Sequence, residues 1–91
     1  MTVTQPAPTP EVLFEWIRAR VAYYIERDPD DIDPDTKLVG YGLDSVYALA
    51  ICGDLEDEFG LVVDATLAWD YPTVNAIVDY LSEVVTASPA P

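Results

Sequence analysis

The chain has 91 residues, 51% of them hydrophobic, and carries 17 acidic against 4 basic side chains, for a formal net charge of −13. This length suits one small domain, and the charge opposes binding to nucleic acid or anionic membranes while favouring partners with basic patches. The lack of histidine and the single Cys52 exclude a Ser-His-Asp relay, an intramolecular disulfide and a structural zinc site.

Two tails are predicted to flank one folded unit. Residues 1–8 and 87–91 are rich in Pro, Ala, Thr and Ser and are expected to be disordered, which leaves residues 9–86 as the domain. The N-terminal segment lacks the features of a signal peptide. The longest apolar run, Val46–Cys52, is far shorter than the roughly 20 residues of a membrane-spanning helix. We therefore expect a cytoplasmic monomer that binds no membrane.

The first predicted element is a helix that begins at Thr9, with Pro10 at the first helical position and Glu11 in the first turn. Its hydrophobic residues recur at helical spacing, and the helix is expected to end near Arg27. They are Leu13, Trp16, Ile17, Val21, Tyr24 and Ile25.

A long connection follows over residues 28–44, where two prolines and six aspartates oppose regular structure. Loops longer than about 12 residues are unusual in compact domains unless they are functional or held by their own side chains. We expect four hydrophobic residues to hold this one: Ile32, Leu38, Val39 and Leu43.

The loop aspartates do not fit a calcium site. Counted from Asp28, the sixth position of an EF-hand is Asp33 instead of glycine, and the twelfth is Val39 instead of glutamate. We predict no metal site, and we expect these acids to cap turns and keep the loop solvated.

The remaining elements are helical. The second helix is predicted over Ser45–Phe59 and should stop at Gly60. Asp64 is expected to cap a short third helix through Trp69, and Pro72-Thr73 to begin a last one. The predicted fold class is all-α, a small four-helix bundle of three main helices and one short helix, with a long loop between the first and second helices.

The second helix carries more apolar surface than one core-facing stripe requires. Leu55 and Phe59 place Ala48, Ile51 and Cys52 on the core face, where Cys52 is expected to be a small buried hydrophobe. A second stripe is formed by Val46, Leu49, Ala50 and Gly53. Two interpretations are open: the stripe docks another protein, or the central helix of a small bundle is simply buried more widely.

Acids crowd the C-terminal half of this helix at Asp54, Glu56, Asp57 and Glu58, where the helix dipole disfavours each by about 0.3–1 kcal/mol. An interaction surface is one interpretation, which Asp64 and Asp70 would extend, and a solvated acidic face is the other. Trp16 and Trp69 are expected mainly to pack in the core, although Trp69 could flank the second stripe.

Ser45 lies at the end of the glycine-punctuated segment 40–46, where the apolar helical pattern begins. Backbone N–H groups at a helix start lack intrahelical partners, and together with the helix dipole they favour an anion such as a phosphate ester. No histidine exists in the chain, and no lysine lies close in sequence to act as a base. Ser45 is therefore predicted to be a site of modification, and the chain is not expected to be an enzyme.

Three segments follow one another at a defined spacing: GLDS at residues 42–45, LEDEFG at 55–60 and YPTV at 71–74. In this combination, over about residues 11–85, the chain resembles the acyl carrier protein family. The resemblance implies that a phosphopantetheinyl transferase moves 4′-phosphopantetheine from coenzyme A to Ser45, and that the thiol of this arm carries acyl groups as thioesters. It also implies that Asp44 orients the carrier on the transferase, and that Val46 and Leu49 contact partner enzymes.

Tyr47 and Ala50 stand where carriers of fatty acid synthesis tend to have acids. With Trp69 and the YPTV segment, these residues are more similar to carriers of polyketide synthases. The resemblance thus implies a role in polyketide or related secondary-metabolite biosynthesis, such as that of antibiotics, with ketosynthase, acyltransferase or acyl-activating enzymes as partners. Two alternatives are a peptidyl carrier of a nonribosomal peptide synthetase and an unmodified acidic interaction module.

Overall fold

The computed structural model describes residues 8–87. Its four α-helices are α1 (Pro10–Ile25), α2 (Ser45–Phe59), α3 (Leu67–Asp70) and α4 (Val74–Ala87). Two short 3₁₀ turns, Pro29–Asp31 and Leu38–Tyr41, lie in the connection between α1 and α2. No strand occurs in this part of the chain. The predicted all-α class, with three main helices, one short helix and a long loop, is confirmed.

The predicted tails fall mostly beyond this range, since residues 1–7 and 88–91 lie outside the described residues. Helix α4 includes Ala87, the first residue of the predicted C-terminal tail. Between residues 8 and 87, no helix combines the length and the apolar character needed to cross a bilayer.

Local capping chemistry sets the start and end of α1. The Thr9 hydroxyl accepts a hydrogen bond from the Val12 N–H at 3.2 Å, with Pro10 as the first helical residue, as predicted. The helix ends at Ile25 because Glu26 adopts the left-handed conformation with φ 58°. The Arg27 N–H then donates to the Ala22 carbonyl at 2.9 Å, which satisfies a group of the last turn. The predicted end near Arg27 therefore lay about two residues too far.

Helix α2 begins and ends on the residues predicted for it, and α4 begins at Val74, directly after the predicted Pro72-Thr73. Gly60 follows α2 with φ 68°, and its N–H donates to the Glu56 carbonyl. Thr73 caps α4, because its hydroxyl accepts a hydrogen bond from the Ala76 N–H at 3.0 Å.

The hydrophobic core lies between α1, α2 and α4, and α1 packs chiefly against α4. Each long helix contributes one buried face at helical spacing. The most deeply buried side chains are Leu13, Ile17, Val21, Ile32, Leu38, Leu55, Val74, Ile77 and Leu81.

The long loop is held by three of the four expected residues, since Ile32, Leu38 and Leu43 are buried. Val39 is 51% exposed, so its predicted role was wrong. Adjacent residues of a tight 3₁₀ turn point in different directions, so Leu38 and Val39 cannot both face the core.

Hydrogen bonds join this loop to the start of α4. The Leu38 N–H donates to the Pro72 carbonyl at 2.8 Å. The Asn75 side chain donates to the Asp35 carboxylate at 2.7 Å, and its backbone N–H donates to the Pro34 carbonyl at 3.0 Å. These bonds hold the middle of the loop, residues 34–38, against the start of α4.

The loop aspartates cap turns, as expected. Asp28 accepts a hydrogen bond from the Asp30 N–H at 3.1 Å, and Asp33 accepts one from the Asp35 N–H at 2.8 Å. No cluster of potential metal ligands occurs among residues 8–87.

Candidate functional site

Ser45 is exposed and is the first residue of α2. The preceding 3₁₀ turn closes at Gly42, whose φ of 91° favours glycine. Next, Leu43 buries its side chain in the core, and its N–H donates to the Leu38 carbonyl at 3.3 Å. The buried side chain of Leu43 thus lies two residues before the exposed Ser45.

Asp44 is the N-cap of α2. Its carboxylate accepts a hydrogen bond from the Tyr47 N–H at 3.0 Å, and its backbone carbonyl accepts one from the Ala48 N–H at 2.9 Å. A cap of this kind stabilises a helix by about 0.5–2 kcal/mol. Asp44 therefore fixes where α2 begins, and with it the position of Ser45.

The start of α2 suits a phosphodiester on Ser45. The first N–H groups of a helix have no intrahelical acceptor, and the dipole places partial positive charge there. The neighbouring Asp44 carboxylate is a like charge, but it is exposed, so water and salt screen its repulsion. An exposed hydroxyl beside this helix end therefore fits a covalently attached phosphate group.

The four basic residues of the chain, Arg18, Arg20, Arg27 and Lys37, all precede residue 38. The segment from residue 38 to residue 87 contains acids and no bases: Asp44, Asp54, Glu56, Asp57, Glu58, Asp64, Asp70, Asp79 and Glu83. Helices α2, α3 and α4 therefore carry negative charge only, which complements a basic partner surface.

The second apolar stripe of α2 is exposed. Val46 is 69% exposed and Leu49 58%, Gly53 is exposed and Ala50 is half-buried. The opposite face is buried at Ala48, Ile51, Cys52 and Leu55, as predicted. Of the two interpretations, wider burial of α2 is wrong, and the role of the stripe in partner binding stays a prediction.

Trp69 is 44% exposed, so its predicted packing role was wrong. Helix α3 is a single turn that buries Leu67 and Ala68, which leaves Trp69 and Asp70 directed outward. Sequence reasoning also missed the exposed Val62 in the loop between α2 and α3. Neither segment is long enough for periodicity to show which side faces solvent.

The predicted acidic surface divides into two parts. Glu56, Asp57, Glu58, Asp64 and Asp70 are exposed. Asp54 instead accepts a hydrogen bond from the Tyr24 hydroxyl and lies 3.8 Å from the Arg20 Nε. The hydrogen bond to Asp54 raises the pKa of Tyr24. Asp54 therefore links α2 to α1, in addition to the partner role predicted for it.

Cys52 is a buried residue of the core, as predicted. Its thiol lies 3.5 Å from the Asp64 carbonyl, and burial raises its pKa. A thiol of this kind is a poor nucleophile at neutral pH. Trp16 likewise packs as expected, with its ring edge-on to Phe59 at 5.2 Å between centroids.

Comparison with known proteins agrees with this geometry. Residues 15–81 match the family model described as phosphopantetheine attachment site. A free-standing peptidyl carrier protein from a secondary metabolic pathway of Acinetobacter baumannii is 45% identical, with a TM-score of 0.80 over 84% of this chain and 95% of that chain. The acyl carrier protein LipD from Actinoplanes friuliensis is 39% identical, with a TM-score of 0.73 over 97% of this chain and 98% of that chain.

Curated relatives include much larger enzymes. A phenolphthiocerol/phthiocerol polyketide synthase polypeptide from Mycobacterium tuberculosis is 33% identical over 70 residues, which are 77% of this chain and 4% of the synthase polypeptide. The 6-methylsalicylic acid synthase of Penicillium expansum is 31% identical over 83 residues, which are 88% of this chain and 5% of that enzyme. The chain thus spans a small part of their length. It belongs to the phosphopantetheine attachment site family, that of the acyl and peptidyl carrier proteins, and its cofactor is covalently attached 4′-phosphopantetheine.

Proposed function

We propose that Ser45 is the attachment site, and that the chain carries acyl intermediates as thioesters in polyketide or related secondary-metabolite biosynthesis. The observation that carries this proposal is the exposed hydroxyl of Ser45 as the first residue of α2, directly after the N-cap Asp44. The thiol at the end of the arm supplies the thioester chemistry.

Attachment requires an external enzyme. The Ser45 Oγ forms a bond to the phosphorus of coenzyme A that bears the pantetheine, while the bond from that phosphorus to the bridging oxygen breaks and releases 3′,5′-ADP. The hydroxyl proton passes to a base, which a phosphopantetheinyl transferase supplies together with Mg²⁺. This chain contributes a hydroxyl held in place by Asp44 and Leu43, and it acts as a substrate and not as a catalyst.

A carrier with one tethered cargo must visit several enzymes. Tethering raises the effective concentration of the cargo at each active site to which the carrier docks. The exposed stripe of α2 supplies apolar contact, and the exposed acids near its C-terminal end supply charge. We propose that phosphopantetheinyl transferase, ketosynthase, acyltransferase or acyl-activating enzymes dock here through basic patches.

We further propose that residues 9–86 form the carrier domain and that it is monomeric, since a net charge of −13 disfavours self-association. Its assignment to the cytoplasm rests on the single buried thiol and on coenzyme A as the donor of the arm.

The cargo distinguishes two candidate functions. Similarity to polyketide synthases favours an acyl cargo, and 45% identity to a peptidyl carrier protein favours an aminoacyl one. In the test, the phosphopantetheinylated protein is incubated either with an acyltransferase and malonyl-coenzyme A, or with adenylating enzymes, amino acids and ATP. Intact mass is expected to show acyl loading. Aminoacyl loading alone would contradict the polyketide assignment.

The docking role of α2 predicts separate effects on turnover and folding. Leu49→Lys or Glu56→Lys should reduce the kcat/KM of acyl loading by about fivefold to tenfold, because each removes a contact worth about 1 kcal/mol. The melting temperature should change little, because both side chains are exposed.

Matched controls lie off helix α2. Val39→Lys replaces a side chain of similar exposure, 51% against 58% for Leu49. Glu83→Lys makes the same charge change on α4, where Glu83 is exposed. Both should load at the native rate, and equal losses in the controls would show that charge alone, and not position on α2, determines turnover.

A further inference from the structure

A second apolar face lies on α1. Val12, Trp16, Ala19 and Tyr23 follow the spacing i, i+4, i+7 and i+11, which places them on one side of the helix. Val12 is 48% exposed, Ala19 and Tyr23 are exposed, and Trp16 is half-buried. A shallow, open groove of about 500 Å³ runs along the N-terminal part of this face, lined only by residues of α1: Glu11, Val12, Glu15, Trp16 and Ala19.

Two unpaired acids border that groove. Glu11 and Glu15 are exposed and one turn apart, a spacing at which like charges destabilise a helix. Within residues 8–87, neither takes part in an ion pair. They also line a second groove of about 290 Å³ beside Pro10, Phe14 and Val78. The two glutamates thus form an acidic ridge between two apolar grooves.

The other end of the face already holds a cation. The guanidinium carbon of Arg20 lies 5.2 Å from the centroid of the Trp16 ring and 5.7 Å from that of Tyr23. Among residues 8–87, no lysine or arginine forms an ion pair with Glu11 or Glu15. The part of the face around Val12 therefore lacks a cation to pair with the negative charges of Glu11 and Glu15.

We propose that this face of α1 docks a basic amphipathic helix of a partner protein. Apolar side chains of the partner, spaced at i, i+3 or i+4 and i+7, would enter the groove along Val12, Trp16 and Ala19. Its lysine or arginine side chains would pair with Glu11 and Glu15. A second copy of this chain is a poor occupant, because two molecules of net charge −13 repel one another. The proposal does not depend on modification of Ser45.

The test uses the ¹⁵N-labelled Ser45→Ala protein and a synthetic amphipathic helical peptide of leucine and lysine, at roughly physiological salt. Chemical shift changes are expected to be largest at Val12, Glu15 and Ala19. Glu11→Lys/Glu15→Lys should weaken binding about tenfold, since two charge contacts each contribute on the order of 0.5–1 kcal/mol. Asp79→Lys/Glu83→Lys changes the same charge at the same spacing on exposed positions of α4, and it should weaken binding less than about twofold.

The apolar part of the proposal has its own control. Val12→Gln should weaken peptide binding severalfold, whereas Val39→Gln, at 51% against 48% exposure, should not. Equal effects of the two charge variants, or shift changes confined to α2 and α3, would overturn the proposal. Peptide affinity that rises tenfold or more when residues 1–7 are removed would also overturn it, because that segment of the chain would then be the occupant.

Discussion

The Ser45→Ala protein is expected to gain no mass when incubated with coenzyme A, Mg²⁺ and a promiscuous phosphopantetheinyl transferase, whereas the native protein gains one phosphopantetheine. The variant lacks the oxygen that forms the new bond to phosphorus. Ser45 is exposed at the first position of α2, and the cap is made by Asp44, so the fold should survive the substitution. Intact mass spectrometry measures the gain, and circular dichroism checks the fold.

Ser82→Ala in α4 is the matched control, since it removes a serine hydroxyl elsewhere in the chain and should still gain one phosphopantetheine. Modification that persists in Ser45→Ala would show that the attachment site is a different residue. A native protein that gains no mass would instead favour the alternative of an unmodified acidic interaction module.

Leu55→Ala is expected to have the largest effect on stability. Leu55 lies in α2 and has no exposed surface. Removing most of a buried leucine side chain costs about 2–5 kcal/mol through lost burial and the cavity that remains. Small domains have about 5–15 kcal/mol of stability in total. Urea denaturation followed by circular dichroism should therefore show a much lower midpoint with little change in slope.

Leu49→Ala is the control on the same helix. Leu49 is 58% exposed, so the same truncation should cost less than about 0.5 kcal/mol. A similar loss of stability in the two variants would mean that both faces of α2 are buried in solution, and it would remove the exposed stripe on which the docking proposal rests.

Local signals in the sequence were sufficient to place several helix ends, including the start of α2 at the site. The capping residues Thr9, Asp44 and Thr73 each accept a hydrogen bond from the N–H group three residues further along, so their role depends on neighbouring residues only. Gly60 ends α2 for the same reason, because its left-handed conformation is a local property. The end of α1 was misplaced because Glu26, a residue that rarely adopts that conformation, ends the helix.

The sequence by itself determined the helical class, the start of α2 and the presence of Ser45 there, because periodicity and capping act over a few residues. Only the tertiary structure decided which apolar stripe of α2 faces solvent, that Leu38 and not Val39 holds the loop, and that Trp69 is exposed. It also decided that Asp54 joins Tyr24 and Arg20, and that Glu11 and Glu15 border a groove on α1. Periodicity shows which residues share a face, but burial depends on which other elements cover that face.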